Sequence, residues 1–252
     1  MDQAADGTLY FATRSSLLKF DGERWEEAFI PGKKVIYWLK IDDAAERIYI
    51  GTSGEFGYID FDLNYVSLSD QLDASTANFG TIWEVKVTSH GAYFRSSKYI
   101  FRYHQDELSH IAGIGPKDNP FDIISEINDT IYTRVREVGL ATIYNGKLEV
   151  LENTAHFDNK TNAFVSHPDG LLIVTRSQGL FFYKNQEIKA WEVEISDQLK
   201  QNKVYHATAL SNGNCAFANL IGGVLLMDQH GNLEHSIKKS NYGIFEGTEF
   251  VF

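Results

Sequence analysis

The sequence predicts an all-β fold assembled from repeated four-stranded antiparallel sheets. Three observations carry that prediction: a phrase recurring about every 40 residues, short alternating apolar runs between its copies, and turn residues at matching places in successive copies. The phrase reads Gly-Thr-Leu-Tyr-Phe-Ala-Thr at 7–13, Arg-Ile-Tyr-Ile-Gly-Thr at 47–52 and Gly-Ala-Tyr-Phe-Arg-Ser at 91–96. Looser copies stand at 130–135, 170–175 and 214–219. Aligning on Tyr10, Tyr49, Tyr93, Tyr132, Leu172 and Ala216 gives steps of 39 to 44 residues, room for one four-stranded sheet each. A single such sheet cannot bury both faces, so successive copies must stack on one another. The expected architecture is a β-propeller of about six to seven four-stranded blades.

The third copy shows the script of one unit. Residues 81–87 alternate and read as a first strand, Ser89, His90 and Gly91 as a turn, and 92–96 as a second strand. Residues 99–103 follow as a third strand, and Gln105-Asp106 turns into a weaker outer strand at 107–111. Third strands of other copies are expected at 17–20, 141–144, 180–183 and 224–227. They lead into Asp21-Gly22, Asn145-Gly146, Lys184-Asn185 and the 228–231 turn, where Asp-Gly and Asn-Gly supply the positive φ of tight hairpins. Longer connections are expected around Pro31-Gly32, 112–116 and 156–160, and one helical turn at 196–201.

The ends do not read as whole units. The chain opens at an expected second strand with only residues 1–6 before it, and 242–252 read as the first strand of another blade. Either that tail completes the first unit, or the chain is cut from a longer array. We expect the second: one propeller domain over 1–252, an incomplete fragment of a longer protein.

Composition narrows the partners. A net charge of -11 disfavours nucleic acid and anionic membrane surfaces, which recruit clustered Lys and Arg. With 17 Phe, 13 Tyr and only 4 Pro the chain is not disordered. Cys215 is the single cysteine, so no intrachain disulfide forms, and its apolar run reads as a buried inert thiol. No apolar run reaches the ~18 residues of a spanning helix. Residues 1–6 lack the basic and apolar regions of a signal peptide.

The order of second strand, polar turn, Gly-Leu, aromatic strand and Asp-Gly turn resembles the two-component-regulator propeller repeat. The clearest copy is Arg-Ile-Tyr-Ile-Gly-Thr-Ser-Gly at 47–54, with others at 9–22, 91–97, 172–180 and 222–228. Members of that family carry Trp where this chain has Tyr10, Tyr49 and Tyr93, so the resemblance is to a divergent branch. It implies a non-catalytic, ligand-sensing, periplasmic or extracytoplasmic region of a bacterial histidine kinase, hybrid two-component protein or diguanylate cyclase. Membrane attachment would come through flanking segments, and homodimerisation of the full-length protein is left open. WD40 signatures are missing, and Gly222-Gly223 is the one Gly-Gly doublet where kelch repeats need one per blade.

Searching for chemistry yields few candidates. The eight histidines are scattered without metal-ligand spacing and read as structural. Residues 158–162 fail as a calcium loop, because Lys160 replaces an oxygen ligand. No Gly-x-Ser-x-Gly occurs, and paired acids such as Asp42-Asp43 and Glu26-Glu27 read as solvated. Accordingly no catalytic residue, metal or cofactor is expected. Trp25, Trp38, Trp83 and Trp191 read as inter-blade packing rather than sugar platforms. One pattern does suggest a site. Four residues after each aligned position stand Arg14, Ser53, Ser97, Arg136, Arg176 and Leu220, and matching turns of a propeller share one face. Arg14, Arg136 and Arg176, extended by Arg95 and Arg134, would then line a rim suited to a carboxylate- or sulfate-bearing small molecule or glycan. A partner-binding scaffold is the alternative function, and a propeller enzyme acting on acidic glycans ranks third.

Overall fold

The computed structural model describes residues 1–32, 34–111, 114–116 and 120–237. Among them lie six four-stranded antiparallel meanders. The first is β1 (Asp2–Gln3), β2 (Leu9–Ala12), β3 (Ser16–Phe20) and β4 (Trp25–Phe29). The second is β5 (Trp38–Asp42), β6 (Arg47–Gly51), β7 (Phe56–Asp60) and β8 (Tyr65–Ser67). The third is β9 (Glu84–Thr88), β10 (Gly91–Arg95), β11 (Ile100–His104) and β12 (Glu107–Ile111). The fourth is β13 (Phe121–Ile127), β14 (Thr130–Val135), β15 (Gly139–Tyr144) and β16 (Lys147–Val150). The fifth is β17 (Thr161–His167), β18 (Gly170–Thr175), β19 (Leu180–Lys184) and β20 (Glu187–Trp191). Helix α1 (Ser196–Asn202) then leads into β21 (Val204–Ala209), β22 (Cys215–Asn219), β23 (Val224–Met227) and β24 (Leu233–Ile237).

These meanders are the blades of a β-propeller. The chain divides into two compact units, Met1–Val150 with four blades and Leu151–Phe252 with two among its described residues. In the first unit β1 neighbours β5, β5 neighbours β9 and β9 neighbours β13; in the second, β17 neighbours β21. The first strand of each blade is therefore innermost.

All six aligned residues fall on second strands. They pair with Lys19, Tyr58, Arg102, Thr142, Phe182 and Leu226 on the third strands. The sequence repeat is thus a true register, and alternation assigns each position to one of two faces. Tyr10 and Leu17 turn forward onto Ile48, Ile50 and Ile59 of the second blade. Tyr49 and Phe56 likewise meet Phe94 and Phe101 of the third, and Tyr93 and Ile100 meet Ile131 and Ile143 of the fourth. In the second unit Leu172 and Leu180 meet Phe217 and Leu225. Each fully buried side chain of this size contributes about 1.5–3 kcal/mol, so the interfaces between blades hold most of the stability.

The side chain of the last residue of the repeated phrase closes the central turn in five of the six blades. Thr13 Oγ1 donates to the Ser16 carbonyl at 2.9 Å and accepts the Ser16 amide at 3.0 Å. Thr52 Oγ1 donates to the Glu55 carbonyl at 2.8 Å, Ser96 Oγ accepts the Tyr99 amide at 2.9 Å, and Thr175 Oγ1 donates to the Gly179 carbonyl at 2.7 Å. In the sixth blade the Asn219 amide nitrogen replaces the hydroxyl, donating to the Gly223 carbonyl at 3.2 Å. The fourth blade has Val135 there instead. Beside three of these staples the next blade's chain is bound: the Ile36 amide donates to Thr13, Ile82 to Thr52 and Val204 to Arg176.

Several expectations need correction. Residues 1–6 do supply an inner strand, since Asp2 and Gln3 pair with Tyr10 and Leu9. Residues 81 and 82 leave the third blade's first strand for the second blade, Thr81 bridging to Ser53 and the Ile82 amide donating to Thr52, while the Trp83 amide still donates to Arg95 of its own blade. Asn145-Gly146 makes the expected two-residue hairpin with φ of 46° and 75°. Asp21-Gly22 does not: it lies in a four-residue loop between the paired Phe20 and Trp25, held by the Asp21 carboxylate, which accepts the Glu23 and Arg24 amides at 2.8 and 2.7 Å. In the fifth blade the turn shifts to Asn185-Gln186, and Lys184 ends the strand. Trp25 and Trp83 are exposed, whereas Trp38 and Trp191 pack between blades as expected. The 68–83 connection, with a short 3-10 turn at Ser69–Gln71, was unforeseen. The tail at 242–252 lies outside the described residues.

If the staples matter as argued, Thr52→Val and Thr175→Val will each cost about 1 kcal/mol in urea unfolding. The exposed Ser177→Ala will stay within about 0.5 kcal/mol of the parent.

Candidate functional site

The position four residues after the aligned one is the first residue of the central turn in every blade, just past the stapling side chain. In the first, second, third and fifth blades a side chain there starts from a fixed backbone, because its neighbour's hydroxyl is tied down, whereas in the fourth that neighbour is Val135. Arg136 and Arg176 are equivalent in detail. Their amides donate to Pro120 and Lys160, the carbonyls immediately before the inner strands of their own blades.

Their side chains differ. Arg136 Nε donates to Asp122 Oδ1 at 3.0 Å, while 40% of its side chain remains exposed. Arg14 is exposed and Arg176 half-buried, and neither makes an ion pair among the described residues. Arg14 and Arg136 belong to the first unit and Arg176 to the second.

Arg95 and Arg134 do not extend an open rim. Two residues past the aligned position, their side chains turn inward. Arg134 Nη1 donates to Asp122 Oδ2 at 2.6 Å, and both side chains are almost wholly buried. Arg95 Nε donates to Glu84, whose carboxylate also accepts the Ile124 amide at 2.9 Å. Glu84 therefore ties β9 to β13, and its burial requires the Arg95 charge beside it. The second blade has Gly51 at this position, because a Cβ there would stand 2.4 Å from Ile82 Cγ2. The acids Glu84 and Asp122 escaped the sequence reading; the signal available was an acid on the first strand opposite an arginine on the second.

A second polar row runs along the innermost strands of the first unit. Asp2, Lys40, Lys86 and Ser125 are the first-strand partners of the aligned tyrosines. Lys40 Nζ donates to Asp2 at 2.8 Å, and the Ile41 amide donates to the same oxygen at 3.0 Å. Burial opposes the Asp2 charge, but these bonds outweigh it and hold the carboxyl below the ordinary aspartate value. Lys86 Nζ lies 4.9 Å from the Trp38 ring centre, and burial pushes its ammonium pKa down.

The remaining candidates are structural. His167 accepts the Asp169 amide at Nδ1, leaving Nε2 to donate to the Gln229 carbonyl at 2.9 Å. Asn162, in the failed calcium loop, donates to the carbonyls of Val204 and Tyr205, joining β17 to β21. Cys215 is buried, and burial pushes its thiol up to about 11, far from a nucleophile's range. No group of three or more metal-ligating residues occurs among the described residues.

No protein-family model and no curated protein sequence matches the chain. Solved structures do. The extracellular domain of the putative one component system BT4673 from B. thetaiotaomicron superposes with a TM-score of 0.69 at 18% identity, over 95% of this chain and 33% of that one. The extracellular domain of the putative hybrid two component system BT3049 from B. thetaiotaomicron gives 0.68 at 16% identity, over 94% and 34%. BamB from Moraxella catarrhalis gives 0.61 at 13% identity, over 94% and 86%. At these identities the likeness establishes the propeller fold alone. The chain spans about a third of the two sensor-system domains.

Two predictions follow from the ion pairs. Asp122→Asn strands the buried Arg134 charge and will cost about 3 kcal/mol in chemical unfolding, whereas the half-exposed Arg136→Gln will cost under about 1 kcal/mol. Because the Asp2 carboxyl titrates lower in the folded state, its stabilisation exists above the ordinary aspartate value and disappears as pH falls through the folded one. Asp2→Asn will therefore lower the urea midpoint at pH 7 and leave it unchanged near pH 2.

Proposed function

We propose that this chain is a non-catalytic, ligand-sensing propeller segment of an extracytoplasmic sensor in a bacterial signal-transduction protein. One observation carries the reading: some 95% of the chain shares its fold with the extracellular domain of a putative one component system. The repeat phrases read from the sequence support it independently, since they resemble those of the two-component-regulator propeller. No helix among the described residues is long and apolar enough to cross a membrane, so attachment would fall to flanking sequence.

In this reading Arg14, Arg136 and Arg176 are the ligand-facing residues and the ligand carries carboxylate or sulfate groups. Arg14 and Arg176 support it by holding no ion pair among the described residues, and Arg136 by keeping part of its guanidinium exposed. The turns of Arg14 and Arg176 are stapled by Thr13 and Thr175, which preorganises their guanidinium groups for bidentate bonds to such anions.

Calorimetric titration with acidic and sulfated oligosaccharides tests this. The combined Arg14→Glu, Arg136→Glu and Arg176→Glu variant should lose at least about tenfold in affinity, as expected for lost charge-assisted bonds. Arg136→Gln serves as a companion, because a glutamate beside Asp122 also perturbs folding. Unchanged affinity in the triple variant would discard the arginine site.

A further inference from the structure

Within the first unit, the face of the first blade that looks away from the second is apolar and uncovered by any described residue. Leu9, Phe11, Leu18, Phe20 and Trp25 share it, as the pairings Phe11–Leu18, Leu9–Phe20 and Phe20–Trp25 require. Phe29 joins them opposite Ser16. Trp25 stacks on Phe20 with ring centres 4.6 Å apart, yet 58% of its surface is exposed, and Phe29 is 57% exposed. Two large aromatic side chains this open on one sheet face mark an interaction surface.

The repeat itself says what belongs there. Phe11 is equivalent to Ile50, Phe94 and Phe217, all with no exposed surface. Phe20 is equivalent to Ile59, Tyr103, Ile143 and Met227, all buried. In each case the cover is the forward face of the preceding blade: Tyr10 and Leu17 over Ile50 and Ile59, Tyr49 and Phe56 over Phe94, Tyr93 and Ile100 over Ile143, Leu172 and Leu180 over Phe217 and Met227. Within the first unit, and among its described residues, the first blade keeps the receiving residues of this interface without the donor.

We propose that the exposed face of the first blade docks a further four-stranded blade of the same repeat, carried by the same polypeptide in the intact protein. Its forward face would present large apolar residues at the positions held by Tyr10 and Leu17. Its turn carbonyl would meet the first blade's entry strand, as Thr13 meets Ile36. Solved domains of this fold that run about three times as long leave room for it. The inference stands whatever the ligand is.

Cysteine footprinting tests it, because the native Cys215 is buried and silent. Trp25→Cys and Phe29→Cys are labelled with a maleimide in two proteins: the purified 252-residue chain and the purified intact gene product, with Ser177→Cys as the exposed control. In the 252-residue chain both should react at the control rate. In the intact product both should react at least about tenfold more slowly at every dilution, the control being unaffected. The coding sequence upstream should also carry another copy of the phrase about 40 residues before Tyr10. Equal labelling in both proteins overturns the proposal. So does protection already present in the monomeric 252-residue chain, which would mean the chain covers its own face. Protection that fades on dilution would assign the face to a second copy, and an upstream sequence without the phrase would remove the proposed blade.

Discussion

A short polar side chain at the end of the second strand closes the central turn in five of the six described blades. In the first, second, third and fifth blades a Thr or Ser hydroxyl bonds the far side of the central turn, and it is nearly or wholly buried in the last three. The turn residues become a rigid corner, and at three of these corners a backbone carbonyl is left free to receive the next blade's chain. The same bond therefore sets the hairpin, the junction between blades and the direction in which the next turn residue projects. Only a short hydroxyl or amide side chain can do this. A longer side chain would overshoot the turn; the fourth blade, with Val135 there, relies instead on the Val138 amide donating to the Val135 carbonyl at 3.2 Å.

The arginines show how depth changes the chemistry of one residue type within one repeat. Arg134 and Arg136 are two positions apart on the same segment and share the Asp122 carboxylate. Alternation should give them a common face, yet the strand ends between them, so one guanidinium is entombed and the other reaches solvent. The buried one is obligatory to its acid, since neither charge survives burial alone. The outer one keeps 40% of its side chain exposed and gains little from the pairing.

Interfaces between blades do the work a single core does elsewhere. Each is built from forward residues of one blade and rear residues of the next, so blade identity matters less than the complementarity of adjacent faces. Proteins built this way can change ligand or partner by altering turn residues while keeping the packed faces. That independence is why the fold neighbours include proteins as different as a sensor's extracellular domain and BamB.

Strand order and register were legible because each follows from local pattern. The aligned tyrosines reported the register, and the stapling Thr and Ser were already the last letters of the repeated phrase, though their role was not. The alternation of apolar residues required two packed faces per blade. What escaped depends on contacts between segments far apart in the chain. Periodicity could not show that Glu84 and Asp122 would claim Arg95 and Arg134, since an arginine looks the same whether a carboxylate waits across the strand or not. Nor could it show that residues 81 and 82 would give up their strand to bond the neighbouring blade, or that Asp2 and Gln3 suffice as an inner strand. Local sequence determined the blades, because hydrogen bonding within a hairpin is settled by neighbours. Tertiary structure alone decided which charges are free, because burial is a property of the assembled faces.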